Sequence, residues 1–340
     1  MKYLKYCLIV ILAFPLFLFA QKSNSGKLSG YMFGDYYYEV SNHNNNFNDR
    51  NGFWIRRIYF KYSKKISENF SSCLLFEMNT PDGLTKTVNK PFPFVKAAYV
   101  AWKHGRNQAL LGISATPTLG AVVKTWGYRC VEKTPLDLHK FAHSVDFGLA
   151  LKGTLDNAGK ISYHLMLANG SGNKSDPNDG KKVMLSVGFK PSKALLIDVY
   201  GDWDNNPGST DWYTFRGFVG YNTAKLRLGL LYTHQVRQMV GAADLKLNMG
   251  SAFAVAKISQ KSSVFVRVDR SFDPDPLGNT ICYLPFDPTA KSTLFIGGLD
   301  CALAPAVHLM PNIETILYDK VNGVTPDKDI LPRLTFFYKF

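Results

Sequence analysis

From about residue 28 to the end of the chain, apolar residues recur at every second position, in segments mostly 9 to 12 residues long. A period of two sends alternate side chains to opposite faces of a strand. Ser144 to Leu155 is the clearest case. Val145, Phe147, Leu149, Leu151 and Leu155 share one face, and Ser144, Asp146, Ala150, Lys152 and Thr154 share the other. Residues 182–190, 194–204, 225–236 and 331–340 repeat the pattern. Sixteen such segments can be drawn: 28–40, 53–63, 70–79, 93–103, 108–115, 144–155, 160–169, 182–190, 194–204, 212–221, 225–236, 248–258, 263–271, 292–301, 306–317 and 331–340. Their length is what a tilted strand needs to cross a bilayer. Fourteen strands is the alternative, because 108–115 and 306–317 alternate least clearly.

The connections sharpen this reading. After odd-numbered segments they are mostly long and polar, as in SNHNNNFNDRNG (41–52), GSGNKSDPNDGK (170–181), 272–291 and 318–330. After even-numbered segments they are short: 64–69, 104–107, 156–159, 191–193, 222–224 and 259–262. Membrane barrels have short turns at one end and long loops at the other. A soluble β-sandwich, the competing fold, gives no reason for that asymmetry. Tyr36, Tyr38, Trp54, Tyr62, Phe70, Trp203, Tyr213, Tyr221, Tyr232 and Tyr338 gather near segment ends, mostly on the apolar face, as rings at a lipid boundary do. The expected fold is therefore all-β: a 16-stranded antiparallel transmembrane barrel with short periplasmic turns and long extracellular loops.

Composition excludes two other classes. Aromatic residues at 14% are too many for a disordered chain. The single long apolar run, Cys7 to Ala20, leaves no set of spanning helices. That run follows Lys2 and Lys5 and reads as a signal peptide over 1–20, with cleavage near Ala20 and Gln21 to Phe340 as the barrel. The remaining chain holds 38 basic and 26 acidic residues, a net charge of +12. Cys73, Cys130, Cys282 and Cys301 match no metal spacing. Isolated thiols are expected, with a Cys73–Cys130 bridge as the alternative.

Several segments resemble the phosphate-selective porin O/P family of Gram-negative outer membranes. They include GYMFGDYYYEV (30–40), FWIRRIYFKYS (53–63), AAYVAW (97–102), LLGISATP (110–117), SVDFGLALKG (144–153) and ISYHLMLANGSG (161–172). VFVRVDRSFDPD (264–275), LMPNIETILY (309–318) and LTFFYKF (334–340) continue the likeness in order. The Asn- and aromatic-rich style is similar to that of Bacteroidetes members. The resemblance implies a passive channel, homotrimers, and a long loop folded into the lumen as a constriction. It also implies that Phe336, Tyr338 and Phe340 form the signal read by the barrel-assembly machinery, with outer-membrane lipid and lipopolysaccharide as surroundings.

The longest connection, 116–143, is the candidate constriction loop, and it carries Lys124, Arg129, Lys133 and Lys140 against Glu132 and Asp137. Alternation places Arg57, Lys61, Lys152, Lys182, Lys190, Arg216, Lys225, Arg227, Arg267 and Arg333 on the lumen face. Asp35, Glu77, Asp146, Asp198, Asp202 and Asp269 share that face, so cross-strand pairing competes with a role in the ion path. Arg56 falls on the lipid face, so either it lies near the membrane boundary or its strand bends. Rings of Arg and Lys favour anions. The expected anion path comprises Arg57, Lys61, Lys124, Arg129, Lys133, Arg216, Arg227 and Arg267, with phosphate or other small anions as solutes. No catalytic constellation, metal motif, cofactor motif or nucleic-acid motif is present; His139 and His143 lack the glutamate of a zinc-protease helix. The alternatives are a barrel enzyme, such as a phospholipase, or an assembly or adhesion barrel.

Overall fold

The computed structural model describes residues 26–80, 90–208, 210–281 and 283–340; the expected signal peptide lies outside them. Sixteen antiparallel strands close into one barrel, each bonded to its sequence neighbours and β1 (Lys27–Tyr38) to β16 (Asp329–Lys339). Between them run β2 (Asn51–Lys65), β3 (Phe70–Asn79), β4 (Phe92–His104), β5 (Asn107–Ala115), β6 (Val145–Thr154), β7 (Ile161–Ala168) and β8 (Lys182–Phe189). The remainder are β9 (Leu195–Asp204), β10 (Trp212–Asn222), β11 (Leu226–Arg237), β12 (Leu245–Lys257), β13 (Ser262–Ser271), β14 (Ser292–Ala304) and β15 (Val307–Tyr318). Closure removes the unpaired edges that a sheet in lipid cannot leave open. At the seam, Gly30 and Phe340 exchange backbone hydrogen bonds of 2.9 Å. A Cβ on Gly30 would strike the Phe340 ring, so the missing side chain lets that ring cover the seam.

The outer wall is apolar. Leu149, Leu151, Leu165, Leu167, Val183 and Leu185 are exposed on neighbouring strands, whereas Ala150, Met166 and Met184, one position away, are buried inside. The alternation that defines each strand therefore separates a lipid face from a lumen face. The fold is a 16-stranded antiparallel transmembrane β-barrel.

Three register shifts interrupt the pairing among the described residues, one at the end of β14 and two that re-aim lumen side chains. In β2, Phe33 pairs with Arg57 and Gly34 with Ile55, so Arg56 is the extra residue. In β4, Leu75 pairs with Ala97 and Phe76 with Val95, so Lys96 is extra. A bulge re-aims one side chain. Arg56, expected on the lipid face, therefore points inward and is buried against Asp35. Trp54, expected among the lipid-boundary aromatics, also turns inward and meets the Tyr283 ring edge-on at 5.8 Å.

Residues 116–143 fold into the lumen. They contain α1 (Gly120–Trp126), which lies against β10, β11 and β12, and α2 (Pro135–Leu138). Gly127 ends α1 with φ +74°, a left-handed turn that glycine adopts without strain. Residues 272–291, expected as a polar external loop, fold inward as well. Ile281, Tyr283, Leu284 and Phe286 are buried in the same cluster as Trp126, Val131, Leu136 and Leu138. The loop is polar at its flanks but apolar at its centre, so burying its middle removes side chains that water would otherwise meet. Cys73, Cys130 and Cys301 are free, so the alternative Cys73–Cys130 bridge is absent. Burial pushes the Cys130 thiol up to about 12.

Candidate functional site

Trp126 seats the inward loop. Its ring lies 5.3 Å from that of Phe253 and 6.1 Å from that of Phe265, both edge-on, and its Nε1 donates to Glu132 O at 3.1 Å. Three arginines of the wall then grip the loop's carbonyls. Arg56 donates to Cys130 O, Arg267 to Lys133 O at 2.6 Å, and Arg333 to Val131 O at 3.4 Å. Each has a carboxylate partner on the wall: Asp35 for Arg56, Asp269 for Arg267, and Glu314 at 2.9 Å for Arg333. Arg333 also reaches Glu132 of the loop at 3.4 Å. Removing these charges from water is costly, and the paired geometry offsets it. Arg56, Arg267 and Arg333 thus hold the loop in place and present no free charge to the lumen.

The loop leaves a gap beside β1–β4. Its charged rim forms a chain of contacts. Lys96 Nζ lies 3.2 Å from Glu77 Oε2, and Arg57 Nε lies 3.3 Å from Glu77 Oε1. Arg57 and Arg129 both donate to the Tyr59 hydroxyl, at 3.2 and 3.3 Å. Arg129 also meets Asp137 at 2.6 Å. Arg129, Lys133 and Arg57 overcome the burial of the Asp137 carboxyl and hold it well below the usual carboxylate range. Lys133 stands over the Tyr283 ring at 5.1 Å, and burial lowers its ammonium to about 8. Among the described residues, Arg57, Lys96, Arg129 and Lys133 thus gather around Glu77 and Asp137, while Glu132, beside Lys133, is engaged by Arg333.

A second opening lies at the short-turn mouth. It holds about 600 Å³ and is lined by Lys103, Arg106, Gln108, Lys152, Tyr163 and His164, among others, with no acidic residue in its lining.

Of the predicted path residues, Arg129 lines the gap, Arg57 and Lys133 belong to the same charged chain, and Arg267 holds the loop. Arg216 is fully buried against Asp198 on the β9–β10 wall. Arg227 stands 5.3 Å from the Tyr128 ring centroid. Lys124 is exposed on α1, and Lys61 is exposed near the short-turn end of β2. Sequence reasoning missed Lys96, Tyr59 and Tyr283. The signals were present: RR at 56–57 and KAA at 96–98 break the alternation, and ICYLPF (281–286) is an apolar run within a polar loop. Phe336, Tyr338 and Phe340 lie on or beside the outer face at the end of β16.

No protein-family model and no curated protein matches the sequence. Solved structures do. An anion-selective porin from Comamonas acidovorans superposes with a TM-score of 0.68 at 12% identity, covering 93% of this chain and 99% of that one. The outer membrane channel DcaP of Acinetobacter baumannii gives 0.67 at 11%, covering 93% and 97%. OmpT of Vibrio cholerae, folded in vitro and described as a trimer form, gives 0.63 at 10%, covering 93% and 99%. At these identities the likeness establishes the fold.

Proposed function

We propose that this chain is an outer-membrane channel through which small solutes diffuse passively, with anions favoured weakly over cations. The observation that carries the reading is the gap beside the inward loop, which among the described residues is lined by Lys96 and Arg129, with Arg57 and Lys133 in the same charged chain, and has no carboxylate in its lining. In a narrow passage such an excess acts through a lower effective dielectric than it would on an open surface. The periplasmic rim supports it. Lys64, Lys65, Lys103, Arg106, Lys160, Lys190, Lys193, Lys225, Lys257 and Lys261 stand there against Glu68 and Asp156. Phosphate belongs among the anions on the strength of the resemblance to the porin O/P family, and the Comamonas structure is itself described as anion-selective.

The same reading makes the protein a non-enzymatic homotrimer set in outer-membrane lipid and lipopolysaccharide, exported with its signal peptide cleaved near Ala20. The barrel-assembly machinery would read Phe336, Tyr338 and Phe340. A non-conducting barrel is the second reading, favoured by Ile281, Tyr283, Leu284 and Phe286, which are buried on the loop inside the lumen. Purified mature chain in a planar bilayer separates the two. Discrete steps whose reversal potential in a KCl gradient lies on the chloride side, altered by added phosphate, are expected. Steps without anion preference would remove the selectivity, and a folded barrel without steps would remove the channel.

A further inference from the structure

The gap has two unlike sides. It encloses about 230 Å³ and brings the Lys96 and Arg129 side chains close to Tyr31, Leu75, Leu119 and Val123. Lys96 and Arg129 are the open members of the charged chain, with side chains 17% and 20% exposed, against 9% for Arg57. Tyr31 lies with its ring centroid 4.5 Å from that of Tyr59, so the aromatic part of the lining is continuous with the hydroxyl that both arginines reach.

This lining discriminates by chemistry. A compact inorganic anion entering the gap loses water on every side, and the aliphatic side chains and ring faces return no hydrogen bonds. An organic acid with an apolar body loses less. Its carboxylate takes charge-assisted bonds from Lys96 and Arg129 while its body covers Leu119, Val123 and the Tyr31 ring. The volume lies below the roughly 300–1,000 Å³ typical of drug-sized sites, so the acid is small. We propose that the gap between α1 and the β1–β4 wall is a binding site for small organic carboxylates with an apolar body, its cations being Lys96 and Arg129. The proposal specifies the solute class of the channel reading and rests on that reading for transport, but not for binding. The bulge in β4 is what supplies Lys96, since regular alternation from the inward Ala97 would turn Lys96 to the lipid face.

The test is equilibrium binding to the full mature chain folded in detergent, with benzoate and inorganic phosphate as probes, followed by saturation-transfer NMR and calorimetry. Saturable benzoate binding is expected, at least tenfold tighter than phosphate at equal ionic strength. Lys96→Gln should weaken it about tenfold, and Val123→Asp should weaken it with both cations intact. Arg129→Gln provides a second cation variant should Val123→Asp fail to give a heat-modifiable barrel. Phosphate binding as tightly as benzoate, or benzoate binding unaffected by Lys96→Gln and Arg129→Gln, would overturn the proposal. Bilayer recordings separate it from the channel reading. Conductance without benzoate binding leaves the channel and removes the site; benzoate binding without conductance leaves the site and removes the channel.

Discussion

At the scale of single residues, the lumen sorts its cations by what they touch. Arg333 is buried between Glu314 and Glu132 and also donates to Tyr283 O at 3.0 Å, so it joins the wall to both inward loops. Arg333→Met leaves two carboxylates without their cation. Breaking a buried pair in this way costs about 3–5 kcal/mol, and the temperature at which the folded band is lost on SDS gels should fall accordingly. Lys133 behaves differently. Burial lowers its ammonium to about 8, so it is charged below that pH and neutral above it. Positive charge at the gap is therefore lost as pH rises through 8. Anion preference measured by reversal potential should decline between pH 7 and 9, and Lys133→Met should remove that step while leaving any other pH dependence in place.

At the scale of elements, the two inward loops act as one packed unit. Phe286 is buried on the 116–143 loop, its ring centroid 4.8 Å from that of His139, and His139 Nδ1 lies 2.8 Å from Asp275. Lys140 donates to Thr280 O at 3.0 Å across the same contact. Phe286→Ala removes a buried ring worth about 3–5 kcal/mol. Limited proteolysis should then cut within 272–291 at a protease concentration that leaves the wild type intact; equal resistance would mean the loop is held by its polar contacts alone. The strands were legible in the sequence because their signal is local: period two, a length near ten, and polar breaks. Every predicted segment lies within three residues of an observed strand at each end. The inward loops were less legible. The 116–143 loop announced itself by length and by Trp126 and Phe141, but 272–291 has polar flanks, and its apolar centre finds its partner only in three dimensions. Arg56 was left between the membrane boundary and a bent strand, and Lys96 was passed over, because a bulge resets parity and a rule of alternation carries its error silently past the reset.

At the scale of the molecule, a barrel wide enough for an aqueous channel has given much of its interior to a hydrophobic cluster centred on Trp126. The lumen is thereby a folded core that runs along β10–β16 and on to β1 and β2, with a charged gap left beside β1–β4. Net charge alone could not have shown this, because most lumen cations of the core side are paired with carboxylates. In the proposed channel, the 116–143 loop, held by Arg56, Arg267 and Arg333, sets both the bore and the sign of selectivity. Single-channel recording of the wild type beside a variant with residues 119–141 replaced by a short Gly-Ser linker tests it directly, once heat-modifiable migration shows that both are folded. The wild type should show small, anion-preferring steps, and the variant steps several-fold larger with the preference reduced. Equal conductance and equal reversal potential in the two barrels would contradict it.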